Sequence, residues 1–185
     1  MGAVAWSAPL GDEAEAVRAA ARDPETFAAL YRRYVDDVYR YLLVKSRDPF
    51  EAEDLVAETF LGALSAARGY RGSGTVKAWL IGIARRKAVD AFRARRPQEP
   101  LEAAAAVADP VRVEDVVVAR SELARVATAL TRLGPDRAEA LRLRYFAGLE
   151  MGEIAPLMAR SEDAVKMLVH RGLRELRAAL EEDDR

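Results

Sequence analysis

Arg85, Arg86, Lys87, Arg93, Arg95 and Arg96 crowd one short segment in which Asp90 is the sole acid. Arg86 and Arg93 are seven residues apart, two helical turns, and therefore share a face. A stripe of that kind can follow a phosphate backbone and release its counterions. Tyr70, Trp79 and Phe92 border it. Rings beside cations can stack on unpaired bases, although aromatics at helical spacing more often belong to a core, which is the better reading for Trp79 and Phe92.

A second constellation runs from Met151 to His170. Ile154, Ala155, Val165 and Leu168 fall where two helices crossing at a tight turn bury their contacts, the pattern of a helix-turn-helix. Ala155 is small enough for a close crossing, and Val165 and Leu168 seat the second helix. Lys166, Met167, His170, Arg171 and Arg174 then face outward, towards a major groove. Ala159 occupies the turn position often taken by glycine, and Pro156 removes a backbone donor from the first helix. An ordinary helical hairpin with a solvated basic face is the plain alternative.

Chemistry of other kinds finds no support. There is no cysteine and one histidine, and no glycine-rich phosphate loop or helical His-x-x-x-His pair. The acid pairs Glu53-Asp54 and Glu162-Asp163 sit near helix starts, where the macrodipole accounts for them. No catalytic residue, metal or cofactor is assigned, and the protein is not expected to be an enzyme.

The elements that must carry these faces are helices. Asp23-Pro24 and Asp48-Pro49 each supply an N-cap and a proline at the first helical position. Phe27, Leu30, Tyr31, Tyr34, Val38, Tyr41 and Leu42 follow the first start at helical spacing, and Leu55, Val56, Thr59, Ala63 and Leu64 follow the second, which Arg68-Gly69 is expected to end. Gly69, Gly72 and Gly74 mark a loop, after which Thr75 can cap the basic helix with Leu80, Ile83, Ala84, Ala88 and Ala91 inward. Further on, Val116 to Leu133 predicts a helix ended by Gly134-Pro135, and Ala138, Leu141 and Tyr145 predict another ended by Gly148. Segments from about 150 to 158 and 161 to 180 complete an all-α fold of two small helical domains.

Prolines at 97, 100 and 110 and the run Ala103–Ala108 break the periodicity. The expected organisation is an N-terminal segment 1–23, a domain 24–97, a flexible linker 98–115 and a domain 116–185. Net charge is only −1 over 185 residues, so the clustering of cations, not their number, points to nucleic acid. Absence of cysteine fits a reducing cytoplasm, and neither a signal segment nor a run long enough for a membrane span is seen.

Taken in order, AEDLVAETFLGAL, GYRGSGTVKAWLIGIARRKAVDAFRARRP and LGPDRAEALRLRYFAGLEMGEIAPLMARSEDAVKMLVHRGLREL resemble the extracytoplasmic-function (ECF) sigma factors of bacterial RNA polymerase. The resemblance covers about residues 25–97 and 120–180. It implies an alternative sigma factor that starts transcription of a stress- or development-related gene set. Asp54, Glu58 and Phe60 fall on the motif that binds the clamp helices of the polymerase's largest subunit. Tyr70, Trp79, Arg85, Arg86, Lys87, Arg93 and Arg96 fall on the segment that contacts and opens the −10 element. Lys166, Met167, His170, Arg171 and Arg174 lie in the helix-turn-helix that reads the −35 element. Implied partners are core polymerase, including the flap of its second-largest subunit, promoter DNA and an anti-sigma protein. Ala57 stands where many members carry glutamine, Arg86 near a position where some carry a base-capturing asparagine, and Leu168 at an often basic position. Two rivals remain open: a stand-alone regulator with a ligand-sensing or dimerising N-terminal half, and a protein-binding adaptor whose DNA affinity would show little salt dependence.

Overall fold

The computed structural model describes residues 10–94 and 122–183. The expected linker, Arg95, Arg96, Val116 and Val117 lie outside the described residues.

Four helices build the first half: α1 (Leu10–Ala20), α2 (Pro24–Ser46), α3 (Pro49–Ala66) and α4 (Val76–Ala94). Both Asp-Pro starts act as expected. Asp23 accepts hydrogen bonds from the Glu25 and Thr26 amides at 3.4 and 3.1 Å. Asp48 accepts them from the Phe50 and Glu51 amides at 2.9 and 3.4 Å. Each carboxylate satisfies amides that have no partner within the helix. Arg47, in the left-handed region at φ 64°, stops α2. The stop after α3 differs from expectation: a 3-10 turn, Ala67–Gly69, follows Ala66, and the left-handed glycines are Gly72 and Gly74.

In the second half a helix at 122–129, α5, is followed by α6 (Pro135–Leu141), a π turn (Arg142–Phe146), α7 (Met151–Met158) and α8 (Glu162–Asp183). Gly134 does not end α5. It is the N-cap of α6, because Pro135 at the first helical position makes that site a start. Gly148, at φ 65°, does reverse the chain as expected. The π turn moves Tyr145 off the inward stripe. The amides of Ala147 and Leu149 reach back to the carbonyls of Arg142 and Leu143, and this wider winding slips the side-chain register. Leu143 is buried and Tyr145 is exposed.

α2 lies at the centre of the first half and buries Leu30, Tyr34, Val38, Tyr41, Leu42 and Val44. The buried residues of both halves form one continuous cluster, with α2 against the π turn and α4 against α7. At the second junction a methyl added to Gly82 would come within 3.2 Å of Leu157 Cδ2, so glycine permits the crossing. The described residues are helical or irregular and include no strand.

Candidate nucleic-acid interface

Thr75 opens α4 by accepting a hydrogen bond from the Ala78 amide at 3.2 Å. Leu80, Ile81, Ile83, Ala84 and Ala88 face the core. Arg86 and Arg93 are left on the exposed side, as their spacing requires. The other two described cations of the stripe, Arg85 and Lys87, are engaged within the protein. Arg85 Nε donates to Glu139 Oε1 at 3.1 Å, and Lys87 Nζ lies 3.3 Å from Glu58 Oε2. Phe92 departs from its expected place in the core and is 76% exposed. Phe92 continues the face of Ala84 and Ala88, but it falls in the last turn of α4, one turn beyond Ala88, the last buried residue of that helix. Trp79 is half-buried and lies 4.7 Å from the Tyr70 ring, and Tyr70 itself is buried. Tyr70 therefore shapes the loop before α4, leaving Arg71 and Ser73 as its exposed side chains.

α7 and α8 form the two arms of a helix-turn-helix. The Glu153 carboxylate accepts from the Glu150 amide at 2.7 Å at the start of α7. Its other oxygen accepts from the Thr75 hydroxyl, tying α7 to the start of α4. Ala159 turns the chain at φ 53°, a conformation that costs a non-glycine residue about 1–2 kcal/mol. The Arg160 amide then bonds back to the Ala155 carbonyl at 3.0 Å, and Ser161 Oγ caps α8 by accepting from the Ala164 amide at 3.2 Å. Pro156 is tolerated because it faces solvent, where water can take the carbonyl it leaves unbonded.

Ile154, Ala155 and Val165 are buried as expected. Leu168 is only partly covered, and Val169 and Gly172 complete the seat of α8. Lys166, Met167, His170, Arg171 and Arg174 are all exposed. Lys166 is the one with partners, Glu162 at 3.0 Å and Asp163 at 3.4 Å, and its hydrogen bond to Glu162 raises its pKa.

On α3, Asp54 and Glu58 are exposed one turn apart, whereas Phe60 is 3% exposed and meets the rings of Phe27 and Tyr31 at 6.4 and 4.7 Å. The part of this face that sequence reasoning missed is a groove of about 540 Å³ between α2 and α3. Phe27, Tyr31, Val35, Val56 and Phe60 line it, with Asp36 and Glu53 as its acids. Leu61, 64% exposed, stands beside it.

The two halves match two separate family models, Sigma-70 region 2 over residues 30–98 and Sigma-70 region 4 over residues 123–176. Together they cover well over half of the chain. The chain belongs to the ECF sigma factors, alternative initiation factors of bacterial RNA polymerase. It is 35% identical to the ECF RNA polymerase sigma factor BldN of Streptomyces coelicolor over 91% of this chain and 65% of that protein. The sigma factor spans less than two thirds of BldN's length. Its identity to SigX of Bacillus subtilis is 31%, over 85% of this chain and 84% of SigX. Among solved structures, CnrH in complex with the cytosolic domain of CnrY matches with a TM-score of 0.72 at 25% identity, covering 92% of this chain and 98% of that one. RpoE in complex with the anti-sigma factor NepR from Bartonella quintana shares the fold, with a TM-score of 0.67 at 21% identity over 84% of this chain and 96% of that one. In the sigma factor, then, α4 belongs to region 2 and the α7–α8 pair to region 4. No helix among the described residues is long and apolar enough to cross a membrane.

Proposed function

We propose that this sigma factor binds core RNA polymerase through the exposed face of α3 and the groove beside it, with Asp54 and Glu58 meeting the clamp helices of the largest subunit. The loop before α4 and the cations Arg86 and Arg93 meet the −10 element. The outer face of α8, from Lys166 to Arg174, reads the −35 element, and region 4 also meets the flap of the second-largest subunit. Phosphate contacts from α4 supply affinity and register, and base-edge contacts from α8 supply sequence preference. The protein works in the cytoplasm, where its polymerase and promoters are.

The observation that carries this reading is the pairing of two exposed cationic helix faces, one in each family-matched half. A dimeric regulator obtains its second DNA contact from symmetry and needs no second basic helix of its own. RpoE was solved with an anti-sigma factor, and a partner of that kind, covering polymerase- or DNA-binding faces, is the expected control here. The gene set served is a stress- or development-related one.

In vitro transcription with purified core polymerase on a randomised promoter library tests the reading. Specific transcripts that share an upstream and a downstream element support it. Specific DNA binding without retention on core polymerase favours the stand-alone regulator.

A further inference from the structure

α1 precedes the stretch matched by the region 2 model, and the function proposed above gives it no task. It packs through buried Val17 and Ala20 across α2 and the 3-10 turn. Two contacts take it further, onto the loop that leads into α4. Arg18 Nη1 donates to the main-chain carbonyl of Tyr70 at 3.2 Å. A methyl placed on Gly72, at φ +72°, would come within 3.1 Å of Ala14 Cβ. α1 therefore touches this loop at its first residue and again at its left-handed turn.

The loop has little else to hold it. The Tyr70 hydroxyl donates to the Gly74 carbonyl at 3.3 Å, and the Tyr70 ring rests against Trp79. Among the described residues Arg71, Gly72 and Ser73 make no hydrogen bond of their own. Glycine loses more conformational freedom on ordering than any other residue, so a loop with two left-handed glycines keeps one shape only when it is anchored from outside. Arg18 is well suited to anchor it, since its planar donor fork keeps its charge at any working pH and binds a carbonyl in a fixed direction.

We propose that Arg18 is a positioning residue for promoter opening: from α1 it fixes the Tyr70–Gly74 loop in the shape in which Arg71, Ser73 and the unbonded loop amides receive the displaced −10 strand. Arg18 acts through the loop and does not touch DNA. The inference rests on the reading of the segment from Tyr70 to Arg93 as the −10 interface.

The test uses holoenzyme assembled from the full chain and core polymerase. One probe is a duplex promoter selected by the wild-type holoenzyme, and the other is the same promoter mismatched across its −10 region. Strand opening is followed by permanganate reactivity of unpaired thymines. Arg18→Gln should slow opening of the duplex by about tenfold, the worth of one hydrogen bond to a carbonyl. Ala14→Leu, which presses on Gly72 without changing charge, should do the same. Arg18→Lys, which keeps a donor, should recover part of the rate. Transcription from the mismatched probe, core affinity and the salt dependence of promoter binding should stay at wild-type values. Duplex opening at the wild-type rate by Arg18→Gln overturns the proposal, as does an equal slowing on both probes, which would mark a purely structural role. A shallower salt dependence with Ala14→Leu silent overturns it in favour of a direct phosphate contact. If the wild-type holoenzyme opens no promoter, the −10 reading itself fails, an outcome distinct from the others.

Discussion

The Tyr41 hydroxyl donates to Glu139 Oε1 at 2.8 Å, joining α2 to α6 across the boundary between the two halves, with both side chains buried. The same carboxylate receives Lys45 at 2.5 Å and Arg85 at 3.1 Å from the first half, and Arg142 at 3.7 Å from the π turn. A buried carboxylate is tolerated when cations and donors compensate the water it has lost. Arg85 belongs to α4, so the lock that holds the halves together also withdraws a cation from the face proposed for DNA.

Glu139→Gln should loosen this lock, because it leaves Lys45, Arg85 and Arg142 together without their anion. A decrease of about 1–3 kcal/mol in unfolding free energy is expected, the usual cost of leaving buried polar groups unsatisfied. Hydrogen exchange in α6 and at the start of α7 should quicken more than in α3. Equal exchange in all three, with unchanged stability, would show that the network does not couple the halves.

Acid should weaken the same network. Burial by itself raises the Glu139 pKa, but the Lys45 ammonium, the Tyr41 hydroxyl and the Arg142 guanidinium favour the charged form and leave it below the ordinary 4.5. As pH falls the unfolded chain takes up this proton first. The stabilisation is therefore complete above 4.5 and is lost as pH falls through the lower folded value. Thermal unfolding between about pH 6 and pH 3 should fall more steeply for the wild type than for Glu139→Gln. Parallel curves would count against a depressed Glu139.

On α3 the two kinds of residue should separate cleanly. Asp54→Ala with Leu61→Ala changes exposed side chains only and should weaken core polymerase binding while leaving the unfolding midpoint nearly unchanged, since an interface depends on a few central contacts. Phe60→Ala should cost about 3–5 kcal/mol of stability, the range for a buried aromatic truncated to alanine. Unaltered core affinity in the Asp54/Leu61 variant would remove α3 from the polymerase surface.

The two DNA faces should fail differently. Arg86→Ala with Arg93→Ala should weaken holoenzyme binding to many promoters alike and lower the salt slope by about 0.9 for each phosphate that is no longer neutralised. Arg171→Ala should instead change preference at upstream promoter positions, by about 1–3 kcal/mol where a bidentate pairing with a base is removed, and Met167→Ala should change it through loss of an apolar contact with a base. Promoters mutated separately upstream and downstream, compared at several salt concentrations, distinguish the two. Indifference of the Arg171 variant to upstream changes would leave α8 as a solvated basic face.

What could be read from the sequence is what local chemistry dictates. The starts of α2 and α3 were visible because Asp-Pro caps its own next turn, and the helix-turn-helix because its buried positions lie within one short stretch. Tyr145 was misplaced because a period of 3.6 does not foresee the wider turn at Arg142–Phe146. Phe92 was misplaced because it lies on the inward face of Ala84 and Ala88, and periodicity does not show that the core ends one turn before it. Glu139 gave no signal, since Tyr41 and Lys45 lie 98 and 94 residues away in the chain. The α2–α3 groove was hidden for a related reason: helical periodicity tells inside from outside but not which apolar residues a neighbouring helix leaves uncovered.

On the faces proposed for DNA, the carboxylates beside Arg85, Lys87 and Lys166 stand where a phosphate would. Glu139 occupies Arg85, Glu58 lies on Lys87, and Glu162 with Asp163 holds Lys166. For these cations, taking a phosphate is an exchange of one anion for another, which releases fewer bulk counterions than charge counting suggests. Random duplex DNA, which offers charge alone, gains little from such an exchange, whereas a promoter adds base contacts and polymerase adds a second surface. On the proposed reading, a sigma factor built in this way gains little from random chromosomal DNA, and its pool stays free to compete for polymerase.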